Sequence, residues 1–294
     1  MMKRFLQATV AAAVLAMSAV HAPALAQDAS TFNAVLGETK GYQQLPKPWK
    51  FRALVNPGKL TIGTTGASPP RTFVDPATSK LTGSYVELFT KLAQDLDLQP
   101  EFVQLEWAGI LPGLAANRFD IACDGASWTA ERLASDQFLM TSPTAVNATV
   151  AVTRKDTNIK TFADARSADL GGVRGEVYFE GAKKALPDAA ATEFPGMQES
   201  LIGLQNGQVK LVAMNLSNAL NVLNTAPNKA ELQLVGPALQ VFPQGLCVNP
   251  KQPDLLIAIN TLLGNYRADG TLKNLVVKYG GSAAEVDALT RIGY

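Results

Sequence analysis

Residues 59–64 are Lys59-Leu60-Thr61-Ile62-Gly63-Thr64, a short apolar run that ends at a glycine-rich turn. Such a run is typical of a buried β-strand. A helix is predicted to follow, because apolar side chains recur at helical spacing along residues 84–96, with Ser84 as the expected N-cap. Alternating strands and helices favour mostly parallel sheets covered by helices, with ligands at the carboxyl ends of the strands.

The same alternation continues along the chain. Further strands are predicted at 101–106, 119–123, 149–153, 169–173, 190–194, 209–214 and 232–235. Further helices are predicted at 110–117, 176–186, 197–206, 217–225, 252–267 and 271–279. Thr129 is the expected N-cap of one more short helix, which carries Arg132. The predicted fold class is therefore α/β.

Length and charge limit the function classes. The chain has 294 residues, 47% of them hydrophobic, and a formal charge of +1. This length suits one large domain or two modest ones. A nucleic-acid-binding protein would show a basic excess, so that class is disfavoured.

The first 26 residues are predicted to be an export signal. Lys3 and Arg4 precede an apolar stretch at 5–20, and Ala24-Leu25-Ala26 matches the small-x-small pattern cut by signal peptidase. Cleavage is expected before Gln27, which would release the chain into the periplasm. A membrane anchor is the weaker alternative, because the stretch is short and interrupted by polar residues.

Cleavage would change the chemistry that the chain can perform. It would remove His21, the only histidine, and would shift the formal charge from +1 to −1, since two bases and no acid leave. A chain without histidine cannot form a Ser-His-Asp or Cys-His pair or the usual histidine-containing zinc sites. No metal and no cofactor are therefore expected, and binding is favoured over catalysis.

The chain contains, in this order, the segments Leu60 to Thr64, Ser68-Pro69-Pro70, Leu81 to Leu88, Trp107 to Leu114, Phe119 to Ala122, Thr129 to Arg132, Ser142-Pro143 and Ala268 to Thr271. Together and in this order they resemble the family 3 extracellular solute-binding proteins, the amino-acid-type receptors of bacterial ABC importers. The resemblance implies the type II periplasmic binding protein fold, with two α/β lobes joined by two crossover hinge strands. The boundaries it implies are an extension at 27–58, lobe 1 at 59–144 plus 246–281, lobe 2 at 149–240 and a C-terminal tail at 282–294.

The resemblance also implies a function. Such a receptor captures a small solute bearing a carboxylate, an amino acid or a relative, by closure of its lobes. It delivers the solute to an inner-membrane ABC permease with an ATPase subunit, and it is usually a monomer. Two alternatives remain open. One is an enzyme similar to the cyclohexadienyl dehydratases, with Glu176 or Asp124 as general acid, and the other is a periplasmic sensor or accessory binding protein.

Four positions match the family's carboxylate site. Arg132 lies where the family places its carboxylate-binding arginine, and Ser127, with the backbone of Gly125 and Thr129, should complete the site. The alternatives are a solvated helix residue for Arg132 and simple helix capping for the others. Trp107 matches an aromatic that packs on the ligand, although a core tryptophan is nearly as good an interpretation.

Other positions depart from the family pattern. Asn215 replaces the usual acidic partner of an α-ammonium, and Asp124 is expected to restore that charge from lobe 1. Glu176 at the start of a helix replaces a threonine, and Ser68 and Arg71 lie where aromatic residues are common. Each could instead be a surface residue. Together they predict a more polar, more charged pocket than that of a plain L-amino-acid receptor.

Cys123 and Cys247 are the only cysteines of the chain. The resemblance places both on neighbouring strands of lobe 1. An oxidising compartment permits a disulfide between them, and two buried free thiols are the equally favoured alternative.

Overall fold

A computed structural model describes residues 50–291 and residue 293 of the chain. The expected export signal at 1–26, with its cleavage site, and residues 27–49 of the expected extension lie outside the described residues. The strands are β1 (Lys59–Thr64), β2 (Ala67–Ser68), β3 (Thr72–Val74), β4 (Leu81–Thr82), β5 (Gln99–Gln104), β6 (Ile121–Ser127), β7 (Leu139–Met140), β8 (Ala145–Arg154), β9 (Leu170–Val173), β10 (Ala191–Phe194), β11 (Leu211–Asn215), β12 (Leu232–Val235) and β13 (Val241–Val248).

Helices separate most of these strands. The α-helices are α1 (Ser84–Asp95), α2 (Trp107–Ala115), α3 (Ala130–Leu133), α4 (Val177–Ala185), α5 (Met197–Gln205), α6 (Leu216–Thr225), α7 (Pro253–Ala268), α8 (Thr271–Lys278) and α9 (Ala284–Arg291). Short 3-10 helices span Lys155–Thr157, Phe162–Ala165 and Lys229–Glu231. Among the described residues no helix is both long enough and apolar enough to cross a membrane.

A continuous sheet has the order β10-β9-β11-β8-β13-β6-β1-β5, with β12 on β8 and β7 on β13. In one part, β1 is parallel to β5 and β6. In the other part, β9 is parallel to β10 and β11. We call the part with β1, β5, β6 and β7 lobe 1, and the part with β9 to β12 lobe 2. Strands β2, β3 and β4 form a small separate sheet.

Two strands cross between the lobes. Residues 145–148 of β8 pair with β13, and residues 149–154 pair with β11 and β12 of lobe 2. Strand β13 pairs with β8 at its start and with β6 of lobe 1 from Gln244 onward. The expected two-lobed α/β fold with two crossover strands is thereby confirmed.

Each lobe has its own apolar core. In lobe 1 the core combines Leu60 and Ile62 of β1 with α1 and the C-terminal helices α7 to α9. In lobe 2 the alternation of side chains along β8 gives two buried faces, because Val150 and Val152 pack with α5 and α6 whereas Ala151 packs with α4. Helices therefore cover both faces of the lobe 2 sheet, as the sequence pattern predicts.

Tertiary pairing moves several element ends from their predicted positions. Strand β5 spans residues 99–104 rather than 101–106, because its six residues align with the six of β1. Helix α2 begins at Trp107 rather than at residue 110. The N-cap of α1 is Gly83, not Ser84, because the backbone carbonyls of Pro70 and Arg71 accept hydrogen bonds from the N–H groups of the first helical turn.

The chain after residue 281 forms helix α9. Val286 and Leu289 of α9 are buried in the lobe 1 core, and this apolar face holds the segment against the protein. The segment predicted as a C-terminal tail thus contains a packed helix, and Glu285 on this helix contacts Arg71 of lobe 1 and Ser217 of lobe 2.

Candidate functional site

A cleft lies between the lobes, where strands of both lobes end. Strand β1 ends just before Thr65, β6 ends at Ser127, β9 leads to Glu176 and β11 ends at Asn215. About 420 Å³ of this cleft is free of protein atoms, a figure that includes space open to solvent. The lining residues are Thr65, Ser68, Arg71, Trp107, Asp124, Gly125, Ala126, Ser127, Arg132, Glu176, Val177, Tyr178 and Asn215.

Most of the predicted ligand residues come together in this cleft. The ones that line it are Ser68, Arg71, Trp107, Asp124, Gly125, Ser127, Arg132, Glu176 and Asn215. Thr129 is not among the lining residues. Its side chain instead accepts a hydrogen bond from the backbone N–H of Arg132, 3.2 Å away, and so caps α3.

Arg132 presents its guanidinium to the cleft. Nη1 donates to the backbone carbonyl of Ser127 at 3.1 Å, and the guanidinium carbon lies 5.5 Å from the centroid of the Trp107 ring. No carboxylate of the described residues lies within ion-pair distance of Arg132, so its remaining N–H groups can serve an anion. Burial lowers the pKa of Arg132 from its ordinary value, and the nearby acids Glu176 and Glu131 oppose this effect.

A bulge in β6 turns the backbone beside Arg132 toward the cleft. Gly245 of β13 pairs with Ala126 and Cys247 pairs with Ala122, so that residues 123–125 of β6 bulge opposite a single residue of β13. Gly125 has a φ of 101°, and a Cβ there would collide with Nη1 of Arg71. The predicted site residue Gly125 therefore has a geometry that other residues adopt only with strain.

Asp124 lies on the same bulge. Its Oδ2 accepts a hydrogen bond from Thr72 Oγ1 at 2.5 Å, and its backbone carbonyl accepts one from Arg71 Nη1 at 3.2 Å. Burial raises the pKa of the Asp124 carboxyl, and the Thr72 hydrogen bond and the Arg71 charge partly offset this shift. Lobe 1 thus contributes a carboxylate to the cleft as well as a guanidinium.

Glu176 is the N-cap residue of α4 and faces the cleft from lobe 2. The residue as a whole is half-buried, but its Oε2 is closed off from solvent and has no hydrogen-bond partner. Burial raises its pKa to about 7, the charge of Asp124 contributes in the same direction, and Arg132 opposes both. A buried carboxyl oxygen without a hydrogen bond lowers the stability of the fold unless a bound group donates one to it.

Trp107 joins the two lobes at one side of the cleft. Its Nε1 donates to the backbone carbonyl of Gly175 at 3.1 Å, and its ring packs at the edge of the core clusters of both lobes. The ring also covers the Arg132 guanidinium. Trp107 therefore has a structural role in addition to its place on the cleft wall.

Asn215 is mainly a helix cap. Its Oδ1 accepts from the N–H of Asn218 at 2.9 Å and from Nδ2 of Asn147 at 3.3 Å. These two contacts occupy the side-chain oxygen through which Asn215 would otherwise accept a hydrogen bond from a ligand. Ser68 of lobe 1 is likewise engaged across the cleft, because it accepts from Nδ2 of Asn218 at 3.2 Å.

Arg71 is buried, and both of its terminal nitrogens have partners. Its Nη2 lies 3.2 Å from Oε2 of Glu285 on α9 and 3.4 Å from Oγ of Ser217 on α6, while the ring of Tyr85 lies beneath its guanidinium at 5.3 Å. Burial by itself lowers the pKa of Arg71, but Tyr85, Glu285 and Asp124 outweigh burial and the pKa is raised. Arg71 therefore stays charged at the cleft wall, with its charge balanced by Glu285.

Three residues of this region were not predicted from sequence. Tyr178 of lobe 2 shares a 2.9 Å hydrogen bond with Ser127 of lobe 1, and Gln244 of β13 donates to the same Tyr178 hydroxyl. Burial raises the pKa of Tyr178 to about 12. Tyr178 could have been found from its place two residues after Glu176, whereas Gln244 and Glu285 carry no local signal.

Cys123 and Cys247 form a disulfide, with their Cα atoms 5.6 Å apart. Of the two alternatives that the sequence leaves open, the structure has the bridge. It joins β6 to β13 at the β6 bulge, directly behind Asp124 and Gly125. The bridge therefore supports the backbone on which the lobe 1 part of the cleft is built.

The arrangement suits binding of a charged small molecule. Arg132 and the amides near the start of α3 can hold an anionic group, and Asp124 and Glu176 can hold a cationic one. Within residues 50–291, no group of three or more histidine, cysteine, aspartate or glutamate side chains could hold a metal ion.

Comparison with known proteins agrees with this geometry. A model of the bacterial extracellular solute-binding proteins, family 3, matches residues 60–282. The L-cystine-binding protein TcyA of Bacillus subtilis is 28% identical over 225 residues, which cover 76% of this chain and 82% of that protein. A protein of Haemophilus influenzae named "Probable amino-acid ABC transporter-binding protein" is 29% identical over 223 residues, which cover 76% of this chain and 84% of that protein.

One similar solved structure is that of a binding protein described as the precursor of an enzyme. The crystal structure of the ancestral amino acid-binding protein AncCDT-1, a precursor of cyclohexadienyl dehydratase, is 26% identical with a TM-score of 0.68. The match covers 76% of this chain and 95% of that one. Since the family match spans most of the chain and the two-lobed fold agrees with it, the chain belongs to the bacterial extracellular solute-binding proteins of family 3.

Proposed function

We propose that this protein is the periplasmic solute-binding subunit of an ABC importer that captures a small polar solute bearing a carboxylate, an amino acid or a relative. The observation that carries this proposal is Arg132. Its guanidinium faces the cleft with no described carboxylate within ion-pair distance, beside the carbonyl of Ser127 and the aromatic ring of Trp107. A planar guanidinium of this kind binds a carboxylate with two hydrogen bonds.

Lobe closure would couple binding to delivery. Arg132 and Asp124 come from lobe 1 and Glu176 comes from lobe 2, so that a solute contacts both sets only when the lobes are together. Binding then favours the closed state by the difference between its affinities for closed and open forms. The permease would recognise the closed surface and accept the solute.

The names of the relatives support the proposed partners, and the description of the family as extracellular supports the proposed export. Their names describe an L-cystine-binding protein and an amino-acid ABC transporter-binding protein, which points to an amino acid as solute and to a permease with an ATPase subunit as partner. Export with cleavage before Gln27 and a monomeric state complete the proposal. The mass of the secreted chain tests the cleavage site, because a chain that begins elsewhere contradicts it.

A solute panel tests the proposed function. Calorimetry would compare the wild type with Arg132→Ala and Arg166→Ala on amino acids, other carboxylates and carboxylate-free analogues. Arg166 is an exposed arginine of lobe 2 that does not line the cleft, so it serves as the matched control. We expect Arg132→Ala to weaken the best carboxylate solute by about 100-fold, since charged hydrogen bonds are worth roughly 1.5–3 kcal/mol each. Unchanged affinity in Arg132→Ala would contradict the assigned role.

A second candidate function is a dehydratase on the same scaffold. The likeness to the dehydratase precursor and the buried Glu176, whose pKa of about 7 lets it hold a proton at neutral pH, favour it. Glu176 or Asp124 would act as the general acid. Incubation of the purified protein with prephenate or arogenate decides between the two functions. Steady turnover that the change Glu176→Gln abolishes would show that the protein is a dehydratase and not a transport receptor.

A further inference from the structure

The carboxyl of Glu176 has an oxygen, Oε2, that is closed to solvent and has no hydrogen-bond partner among the described residues; the other such atom of the lining residues is Nε of Arg71, whose guanidinium already pairs with Glu285. The facing lobe 1 wall carries a second carboxylate, Asp124, which is near enough to raise the pKa of Glu176. Two carboxylates from opposite lobes therefore face the same small space.

The charges of the cleft wall do not balance. The charged lining residues are Arg71, Asp124, Arg132 and Glu176. Arg71 is already paired with Glu285 at 3.2 Å, and that pair lies at the rear of the cleft. When Glu176 is ionised, above its pKa of about 7, two carboxylates are left against the single guanidinium of Arg132. A solute with one carboxylate and one ammonium would still leave one of the two acids without a counter-charge.

Glu176 is the one acid that lobe 2 contributes to the lining of this cleft, whereas Glu199 of lobe 2 lines an adjoining cavity that also includes Trp107. Asn215 carries no charge, and its Oδ1 already accepts hydrogen bonds from Asn218 and Asn147. The Tyr178 hydroxyl is engaged by Ser127 and Gln244. The only carboxyl through which lobe 2 can attract a cation, among the residues lining the cleft, is that of Glu176.

We propose that the cleft selects a solute of net positive charge, with one carboxylate held by Arg132 and two cationic nitrogens shared between Asp124 of lobe 1 and Glu176 of lobe 2. This inference rests on the proposed function and names the solute class of that site. Glu176 is the specificity-determining residue. A cation between the two carboxylates would donate a hydrogen bond to its Oε2 and would attract both lobes to the same ligand. Basic amino acids have this chemistry, and their neutral isosteres lack it.

Matched solutes test the proposal. The probes are L-arginine against L-citrulline and L-lysine against L-norleucine, which differ in one cationic group at nearly constant shape. Calorimetry at pH 8 would compare wild type, Glu176→Gln and Glu180→Gln. Glu180 lies on the same helix, half exposed and paired with Lys183, so it controls for a charge change outside the cleft.

We expect the wild type and Glu180→Gln to prefer the cationic member of at least one pair by tenfold or more, and Glu176→Gln to lose that preference. The preference should also weaken at pH 6, because Glu176 gains a proton below its pKa of about 7. The charged and titratable groups that face Glu176 are Asp124, Arg132 and Tyr178. Equal affinity for both members of every pair, or a preference that survives Glu176→Gln in a variant that melts like the wild type, overturns the inference.

The same panel separates this inference from the proposed function. If nitrogen-free carboxylates such as succinate bind and the basic amino acids do not, the inference is wrong while the carboxylate-binding function stands. If no carboxylate solute binds at all, both are overturned. As a second variant, Asp124→Asn should also reduce the preference, since it removes the facing charge.

Discussion

Arg71 and Glu285, separated by 214 positions in the sequence, form an ion pair of 3.2 Å between the cleft wall and the last helix. Both side chains are largely buried, with 4% and 13% of their surface exposed. Glu285 also accepts a hydrogen bond from Ser217 of lobe 2 at 2.7 Å. The C-terminal helix, beyond the residues that the family model matches, thereby links both lobes.

The change Glu285→Gln should destabilise the protein. It removes the counter-charge of a buried arginine, and breaking a buried pair from one side costs about 3–5 kcal/mol. We expect the free energy of unfolding in urea to fall by at least about 2 kcal/mol. Asp287→Asn, on the same helix in an exposed pair with Lys273, is the control and should cost less than about 1 kcal/mol. Equal effects of the two changes would contradict a buried ion pair.

The change Gly125→Ala should damage the cleft more than its backbone strain alone explains. The new Cβ would meet Nη1 of Arg71 in addition to occupying a left-handed conformation. Gly58→Ala is the control, because Gly58 has a φ of 78° with no atom within 4 Å of the added Cβ. We expect Gly58→Ala to cost about 1–2 kcal/mol and Gly125→Ala to cost more and to weaken solute binding. The account fails if both variants unfold at the same urea concentration.

Reduction of the disulfide should weaken the protein. The bridge between Cys123 and Cys247 closes a loop with a sequence separation of 124, and removal of a native disulfide costs about 2–5 kcal/mol. We expect a reductant to lower the melting temperature of the wild type and to leave the double variant Cys123→Ala/Cys247→Ala unchanged. A melting temperature that does not respond to reductant in the wild type would show that the bridge adds no stability.

The stability of the solute-free protein should fall as pH rises from about 4.5 to about 7. Glu176 has its pKa raised from 4.5 to about 7, so that in this window the folded chain holds a proton that the unfolded chain has lost. The fall should not exceed about 3.5 kcal/mol, since one pKa unit corresponds to about 1.4 kcal/mol. Urea unfolding at pH 5 and pH 8 measures it. Glu176→Gln should remove this part of the pH dependence and Glu180→Gln should keep it, whereas an unchanged slope in Glu176→Gln would refute the assignment.

Much of the fold follows from local pattern. The apolar run at 59–64 and the helical spacing at 84–96 predict β1 and α1, and the lobe 2 elements fall close to their predicted positions. What local pattern cannot give is where an element ends when a partner decides it. The extent of β5 is set by its alignment with β1, and the start of α1 is set by carbonyls of Pro70 and Arg71 from another part of the chain.

The residues of the site also fall into those that local sequence pattern places and those that depend on contacts between distant segments. Glu176 and Asn215 follow strands whose carboxyl ends meet, so that the sequence places them at one edge of the sheet. The capping role of Asn215 had a signal, because asparagine directly before a helix is a favoured N-cap. The partnership of Arg71 with Glu285 and that of Tyr178 with Gln244 depend on contacts between distant segments and side chains, which no local pattern encodes.

Identification of the molecule that the protein carries tests the central claim most directly. Native mass spectrometry of the protein, purified from its own periplasm without unfolding, would give the mass of any bound solute in the wild type and in Arg132→Ala. We predict a small carboxylate-bearing solute on the wild type that is absent from Arg132→Ala. A bound molecule without a carboxylate, or the same molecule retained at full occupancy in Arg132→Ala, would contradict the assignment of this cleft.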